Sequence, residues 1–276
     1  MSGLVVRAPA SSANLGAGFD VFGMALSLPA DVGDGDAPDG AQQVDEHHPA
    51  HVAFERCGGS GPIWLRCSIP MARGLGFSGA VRVAAAGLGV AQRGDDLAGA
   101  AAEILSVTAE LEGHGDNVAA SVAGGVVAYV DGVAVPFPLG PVLGAAAFVA
   151  WVPDVTTSTD ASRRALADQV ARGDAVANIA AAAAFTLAFA HDDPTLLAAG
   201  TRDHLHQGVR VPPIPGAVAA LDAGVAAGAW AGWLSGSGPT VGLLGPAERA
   251  DAIADSMPAG GHTKVLGIDR LGVRVV

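Results

Sequence analysis

Apolar and polar positions along the 276-residue chain switch repeatedly between a period of two and a period near 3.6. Leu4-Val5-Val6 opens as a short β-branched strand. The run from Ala8 to Leu26 then mixes hydroxyl and glycine residues with one Asn and one Asp, which places Ser11, Ser12, Asn14 and Asp20 on a tight turn between buried elements. Ile63–Ile69 alternates like a strand and stops at Pro70. An alanine-rich helix is predicted over Ser78–Gln92 and another over roughly Leu97–Leu111. Gly125–Val130 and Gly132–Phe137 form a hairpin hinged at Asp131-Gly132. Pro138–Pro141 marks a joint. Beyond it come a strand (Ala146–Val152), a helix begun near Ser158 or Thr159, a long alanine helix (Ala175–Ala190) and a polar helix around Thr201–Gln207. A helix near Ala217–Ala227, a strand–glycine turn–strand over Trp230–Leu244, and a final helix and strand complete the chain. Helices and strands intermix without a strict βαβ beat, which predicts an α+β architecture with two lobes, residues 1–142 and 143–276.

Composition narrows the class. Half the residues are apolar and 15% are charged, as in a globular protein. A net charge of -12 argues against a nucleic-acid or anionic-membrane surface. Lys264 is the sole lysine, so no Walker-type phosphate loop exists; a nucleotide here needs backbone amides, arginine and a metal ion. Cys57 and Cys67 lack a metal-spaced partner and are expected to be reduced and structural. No basic leader precedes a long apolar run. Ala175–Ala190 is short for a bilayer span and suits a helix buried between other elements. A cytoplasmic protein is expected. Residues 31–50 gather six acidic residues into a Gly/Pro-bearing connection, expected to be a solvated flexible loop; Pro38 and Asp45 spoil its faint likeness to a calcium loop.

Three segments can carry chemistry. Gly74-Leu-Gly-Phe-Ser-Gly79 matches G-x-G-x-x-G, with Asp95 and Asp96 about twenty residues on. Pro70 and three further residues separate it from the strand tip, against a dinucleotide fold. A glycine turn opening a helix remains, whose free N–H groups and dipole make an anion site. Ser78 on its first turn can bind a metal or phosphate, and Arg73 adds charge. Glu110-Leu-Glu-Gly-His-Gly-Asp-Asn117 ends a helix with two carboxylates pointing to different faces, so only one can line a site. Ser235-Gly-Ser-Gly-Pro-Thr240 exposes N–H groups and hydroxyls between two apolar runs.

The order of these segments resembles the small-molecule kinases grouped as galactokinase, homoserine kinase, mevalonate kinase and phosphomevalonate kinase. Ala8–Asp20 is similar to the family's Pro-x-Ser-Ser-Ala-Asn-Leu-Gly-x-Gly-Phe-Asp opening. Pro70–Ala80 resembles its nucleotide loop, and Ser235–Thr240 its C-terminal glycine loop. Glu112-Gly-His-Gly-Asp-Asn117, Thr159-x-x-x-Arg163, Asp174-Ala-Val-x-Asn178 and Leu205-His-Gln-Gly-Val-Arg210 are nearest to homoserine kinases. The resemblance implies an N-terminal lobe like ribosomal protein S5 domain 2 and a ferredoxin-like C-terminal lobe. It implies ATP held by Pro70, Arg73, Gly74, Leu75, Gly76, Ser78, Gly79 and Ala80, with Ser235, Gly236, Ser237 and Gly238 opposite. Magnesium would be held by Ser78 and by Glu112 or Glu110. An amino-acid alcohol, homoserine, would be positioned by Asn14, Asp20, Asn117, Thr159, Arg163 and Arg210, with Asn117, Asp20 and Arg163 nearest the chemistry and no conventional base. The product would be O-phosphohomoserine, for threonine synthesis. A homodimer is left open.

Five departures from the family pattern stand out. Phe77 takes the place of a serine and Gly79 that of an alanine in the nucleotide loop; Gly115 and Gly208 replace prolines. Ala167-Asp168 replaces a Pro-Lys pair. These leave two alternatives open: a kinase for another small hydroxy compound, or a catalytically weak ligand-binding member.

Overall fold

The computed structural model describes residues 3–276. Its first half contributes six strands of a seven-stranded sheet: β1 (Val5–Ala13), β2 (Phe22–Asp34), β3 (Gln42–Val44), β4 (Ile63–Cys67), β5 (Val126–Val130) and β6 (Val133–Pro136). Helices α1 (Pro49–Arg56), α2 (Phe77–Gln92), α3 (Ala101–Glu112) and α4 (Asp116–Ala123) belong to the same half. The second half carries β7 (Ala147–Pro153), α5 (Thr159–Arg164), α6 (Arg172–His191), α7 (Leu197–Gly200), α8 (Gln207–Arg210) and α9 (Ala217–Ala226). After these come β8 (Ala231–Leu234), β9 (Val241–Gly245), α10 (Ala250–Asp255), β10 (Gly261–Gly267) and β11 (Arg274–Val275).

Every strand pair is antiparallel. The first sheet runs β11-β1-β2-β4-β3, with β5 and β6 extending from β2, so the last strand of the chain returns to the edge of the first. The second sheet runs β10-β7-β9-β8. Counted within its own half that order is 4-1-3-2, the ferredoxin-like arrangement expected.

β1 is longer than its β-branched start predicts. It continues through Ser11 and Ser12 to Ala13, with a register shift at Pro9/Ala10, so both serines are buried strand residues and not part of the turn. The turn itself begins at Asn14. α2 is apolar from Gly79 to Val90 except at Arg82, and it packs that length against β1 and β2. Its Gly89 has no room for a side chain: a Cβ there would lie 2.5 Å from the Phe54 carbonyl of α1.

The acidic connection corrects the expectation of a solvated loop. Asp31 and Asp34 lie in β2, and residues 42–44 and 49–56 form β3 and α1, the latter capped by His48 with Pro49 in its first turn. Asp31 is buried beneath Arg7 (2.7 and 2.9 Å) and Arg66 (3.2 Å). Burial pushes its carboxyl up, but the two guanidinium groups outweigh that and hold it below the usual carboxylate range. Two exposed turns remain in the connection, around Asp36–Gly40 and Asp45–His47.

A second correction concerns α6. One face is buried through Asn178, Ala181, Phe185, Ala188 and Phe189, while Val176, Ile179 and Leu187 on the other are exposed. The buried face joins the two halves: Phe185 stacks on Phe22 of β2 at 5.0 Å, and Phe137 meets both edge-on at 5.8 and 5.3 Å. Cys57 and Cys67 are unpaired, and burial raises both thiols, Cys57 to about 11, so neither is an activated nucleophile.

Candidate active site

The site forms where three loops meet between the two sheets. The first is the turn after β1. Asn14 (φ 69°) and Asp20 (φ 58°) adopt left-handed backbone there, a conformation that costs free energy outside glycine and concentrates at functional sites. Asn14 donates from Nδ2 to the Gly236 carbonyl at 2.8 Å and accepts from the Asp20 N–H at 3.0 Å, so one side chain ties this turn to the C-terminal glycine loop.

The second is the glycine loop opening α2. Gly74 (φ 73°) and Gly76 (φ 68°) are both left-handed and both closely approached. A Cβ on Gly74 would lie 2.3 Å from the Ser235 carbonyl, and one on Gly76 would lie 2.1 Å from Ser11 Oγ. No side chain caps α2, so its first N–H groups face the cavity unpartnered by a cap.

The third loop, Ser235–Gly238, is fixed by a chain of hydroxyls. Trp233 Nε1 donates to Ser12 Oγ at 2.9 Å, Ser12 Oγ lies 2.8 Å from Ser235 Oγ, and Ser235 donates to the Gly74 carbonyl at 2.6 Å. Ser12, placed by the extra length of β1, and Ser235 therefore lock the two glycine loops together from behind.

These loops bring most of the expected residues onto one cavity. Asn14, Asp20, Arg73, Gly74, Gly76, Ser78, Gly79, Glu112, Asn117, Thr159, Arg163, Arg210, Gly236, Ser237 and Gly238 all line it. Pro70, Leu75, Ala80 and Ser235 do not. Leu75 and Ala80 are buried in the core, Ser235 acts through Gly74, and Pro70 precedes the loop. Glu110 is a correction: it points away, exposed, and pairs with Arg56 at 2.9 and 2.8 Å. Glu112 is the carboxylate at the cavity, and it accepts from Ser78 Oγ at 2.6 Å.

On the other wall Arg163 forms a two-fold pair with Asp20 at 2.9 and 2.7 Å, and that carboxylate raises the guanidinium's pKa. Arg210 is buried. Burial and the charge of Arg163 lower its pKa, and it lies over the Phe19 ring at 5.1 Å. His206 stacks on the same ring at 5.1 Å and reaches the Gly16 carbonyl at 3.2 Å. Asn117, on the first turn of α4, accepts from Ser11 Oγ at 2.8 Å; Thr159 Oγ1 lies 3.1 Å from Ser237 Oγ.

Other cavity residues went unassigned in the sequence reading. His114 and Asp116 line the wall beside Asn117, with Nδ1 of His114 2.9 Å from an Asp116 oxygen that also accepts the Asn117 N–H. The family-like motif spans both; nothing in their spacing separates them from cap residues. Phe77 is half-buried, packs on the core and lines the cavity. The two proline replacements differ: a Cβ on Gly115 would strike Tyr129 at 2.2 Å, whereas Gly208 faces open space.

The domain family described as "GHMP kinases N terminal domain" matches residues 44–125, and "GHMP kinases C terminal" matches 181–263. A homoserine kinase of Thermus thermophilus is 36% identical over 278 residues, covering 94% of each chain. One from Moorella thermoacetica is 38% identical over 262 residues, 86% of each. The crystal structure of homoserine kinase from Cytophaga hutchinsonii superposes with a TM-score of 0.86 at 24% identity, covering 100% of this chain and 98% of that one. Methanococcus jannaschii mevalonate kinase gives 0.74 at 11%, over 97% and 98%. Both superpositions speak for the fold. With two family domains in order and relatives above 30% identity along nearly its whole length, the chain belongs to the GHMP kinase family.

Proposed function

We propose that this kinase transfers the γ-phosphoryl group of ATP to the hydroxyl of L-homoserine, giving O-phosphohomoserine for threonine synthesis, in the cytoplasm. The observation that carries it is the Asp20–Arg163 pair on the cavity wall. An amino-acid zwitterion has the complementary charges: its ammonium matches Asp20, and its carboxylate matches Arg163 with Arg210 beside it. The names of the relatives point to the same acceptor.

The chain's own groups account for the rest. Amides at the start of α2 hold phosphate oxygens, with the helix dipole behind them. Ser11 engages the carbonyl oxygen of the Asn117 amide, leaving its NH2 to position the acceptor hydroxyl; Thr159 flanks it. Phosphoryl transfer passes through a loose transition state, so alignment and charge stabilisation do most of the work, and an amide where a base is usual is chemically sufficient. We take the lobe boundary at 142/143, with β11 returning across it.

Magnesium is the expected companion of ATP, with Ser78 and Glu112 as its ligands. In this arrangement the two do not fit an open cation site. Their facing oxygens bond each other, and Arg82 engages both.

A coupled ADP-release assay over homoserine, threonine, mevalonate and shikimate tests the acceptor, run on the protein and on Phe77→Ser. Turnover is expected with homoserine foremost. Absence of homoserine turnover in both proteins, with ATP bound, would return the chain to another hydroxy acceptor.

A further inference from the structure

Arg82 is the only charged residue of α2, set among Ala, Val, Gly and Leu from Gly79 to Ala91. A helical side chain leans back toward the N-terminus and covers the residue four positions earlier. Arg82 accordingly reaches Ser78: Nη1 donates to Ser78 Oγ at 2.6 Å and pairs with Glu112 Oε1. The ion pair is nearly closed to solvent, with side chains 17% and 10% exposed, and Arg82 Nε is buried without a partner. Burial lowers the guanidinium's pKa, which reflects how little water surrounds it.

The arginines that line the cavity beside the α2 N-terminus are held by partners of their own. Arg73 is turned to the carbonyls of Val155 and Asp154, and Arg163 is matched by Asp20. The chain's single lysine lies in β10. An anion held by the first amides of α2 meets Arg82 behind the Ser78 hydroxyl, with Arg73 and Arg210 farther along the cavity wall. We propose that Arg82 is a resident cation of the phosphate site, occupying Ser78 and Glu112 and supplying charge neutralisation that a divalent ion would otherwise provide, so that nucleotide binding depends little on the metal. This rests on the ATP-binding reading of the site and is independent of the acceptor.

Calorimetric titration with ATP, once in excess magnesium and once in EDTA, tests it on the protein and on Arg82→Leu. The wild-type dissociation constants in the two buffers are expected to agree within about tenfold. Removing the guanidinium is expected to widen that ratio by about tenfold or more, the scale of one charge-assisted contact. Where Arg82→Leu does not fold, Arg82→Gln, which removes the charge and keeps a donor, is read in the same way; the wild-type pair of titrations needs no variant. Wild-type protein that binds ATP only with magnesium would overturn the proposal and leave the nucleotide site intact. So would a ratio unmoved by the substitution, as for an ion pair that only braces the helix. Binding in neither buffer would remove the nucleotide reading as well.

Discussion

Asp20 and Arg163 satisfy each other, yet each is more than a third exposed, so the pair is accessible to a competitor carrying both charges. Arg163→Leu removes the two-fold partner of Asp20 and the guanidinium offered to the acceptor's carboxylate, and it should raise the KM for homoserine by about tenfold or more while the KM for ATP stays within about twofold. Steady-state kinetics with each substrate varied separates the two; a matched rise in both would place Arg163 in cleft closure and not in acceptor binding. Gly76→Ala probes the opposite wall. The new Cβ meets Ser11 Oγ at 2.1 Å in a left-handed residue, a combination expected to cost about 1–3 kcal/mol of stability and to weaken ATP binding. A variant with wild-type melting temperature and ATP affinity would show that the loop relaxes freely. At this scale Ser78 and the glycines stand out in the sequence, because hydroxyl and glycine residues at fixed offsets leave few other roles, whereas Asn117 is marked only by the family resemblance. The sequence did not separate Glu110 from Glu112, since two residues two apart on a helix end differ only in which neighbour they face. Arg82 was hidden for a related reason: a lone arginine in an alanine helix looks like a solvated position until α3 is packed against it.

Among the elements, α8 shows how a four-residue helix is held in place by its preceding turn. Asp203 accepts the N–H groups of Leu205, His206 and Gln207 at 3.1, 2.8 and 2.6 Å, and His206 is buried between Phe19, Arg210 and the Gly16 carbonyl. Burial holds the imidazole below its ordinary pKa, with Arg210 adding to that and Asp203 opposing. The unfolded chain then takes up a proton that the folded one refuses, so this contribution is complete above about pH 6.5 and is lost as pH falls toward the folded value. Melting temperature should drop between pH 7 and 5.5 more steeply for the wild type than for His206→Gln; parallel pH profiles would show that Asp203 keeps His206 protonatable in place. The elements themselves were mostly legible. The α2, β5–β6 and β7 segments follow from periodicity and from Asp131-Gly132, and the Ser158 cap fixes the start of α5. The acidic connection was not, because its solvation was inferred from charge alone. Asp31 is balanced by Arg7 and Arg66, residues 24 and 35 positions away, and only strand register brings them together.

Over the whole molecule one core spans both sheets, and a smaller one around Val149, Trp151 and Leu243 belongs to the second half alone. The larger apolar cluster runs from Val6, Met24 and Leu88 of the first half through Phe148, Phe185, Phe189 and Trp233 of the second. The Trp233–Ser12–Ser235–Gly74 chain crosses the same seam, and β11 stitches the chain's end to β1 through Val6↔Val275 and Arg7↔Arg274. A joint near Pro138–Pro141 is visible in the sequence, but the continuity of the core is not, since it depends on which face α6 turns inward. Shared burial makes cooperative unfolding the expected behaviour: neither half can lose its structure without exposing the other's phenyl rings. Scanning calorimetry should therefore show one transition. Phe185→Ala, which empties the centre of the junction, should cost about 3–5 kcal/mol. At roughly 2–4 °C per kcal/mol for a chain approaching this size, the single peak is expected to move down by about 6–20 °C as a unit. Two resolved peaks, with only one displaced by the substitution, would mean that the halves fold independently and that the cleft between them is held by polar contacts alone.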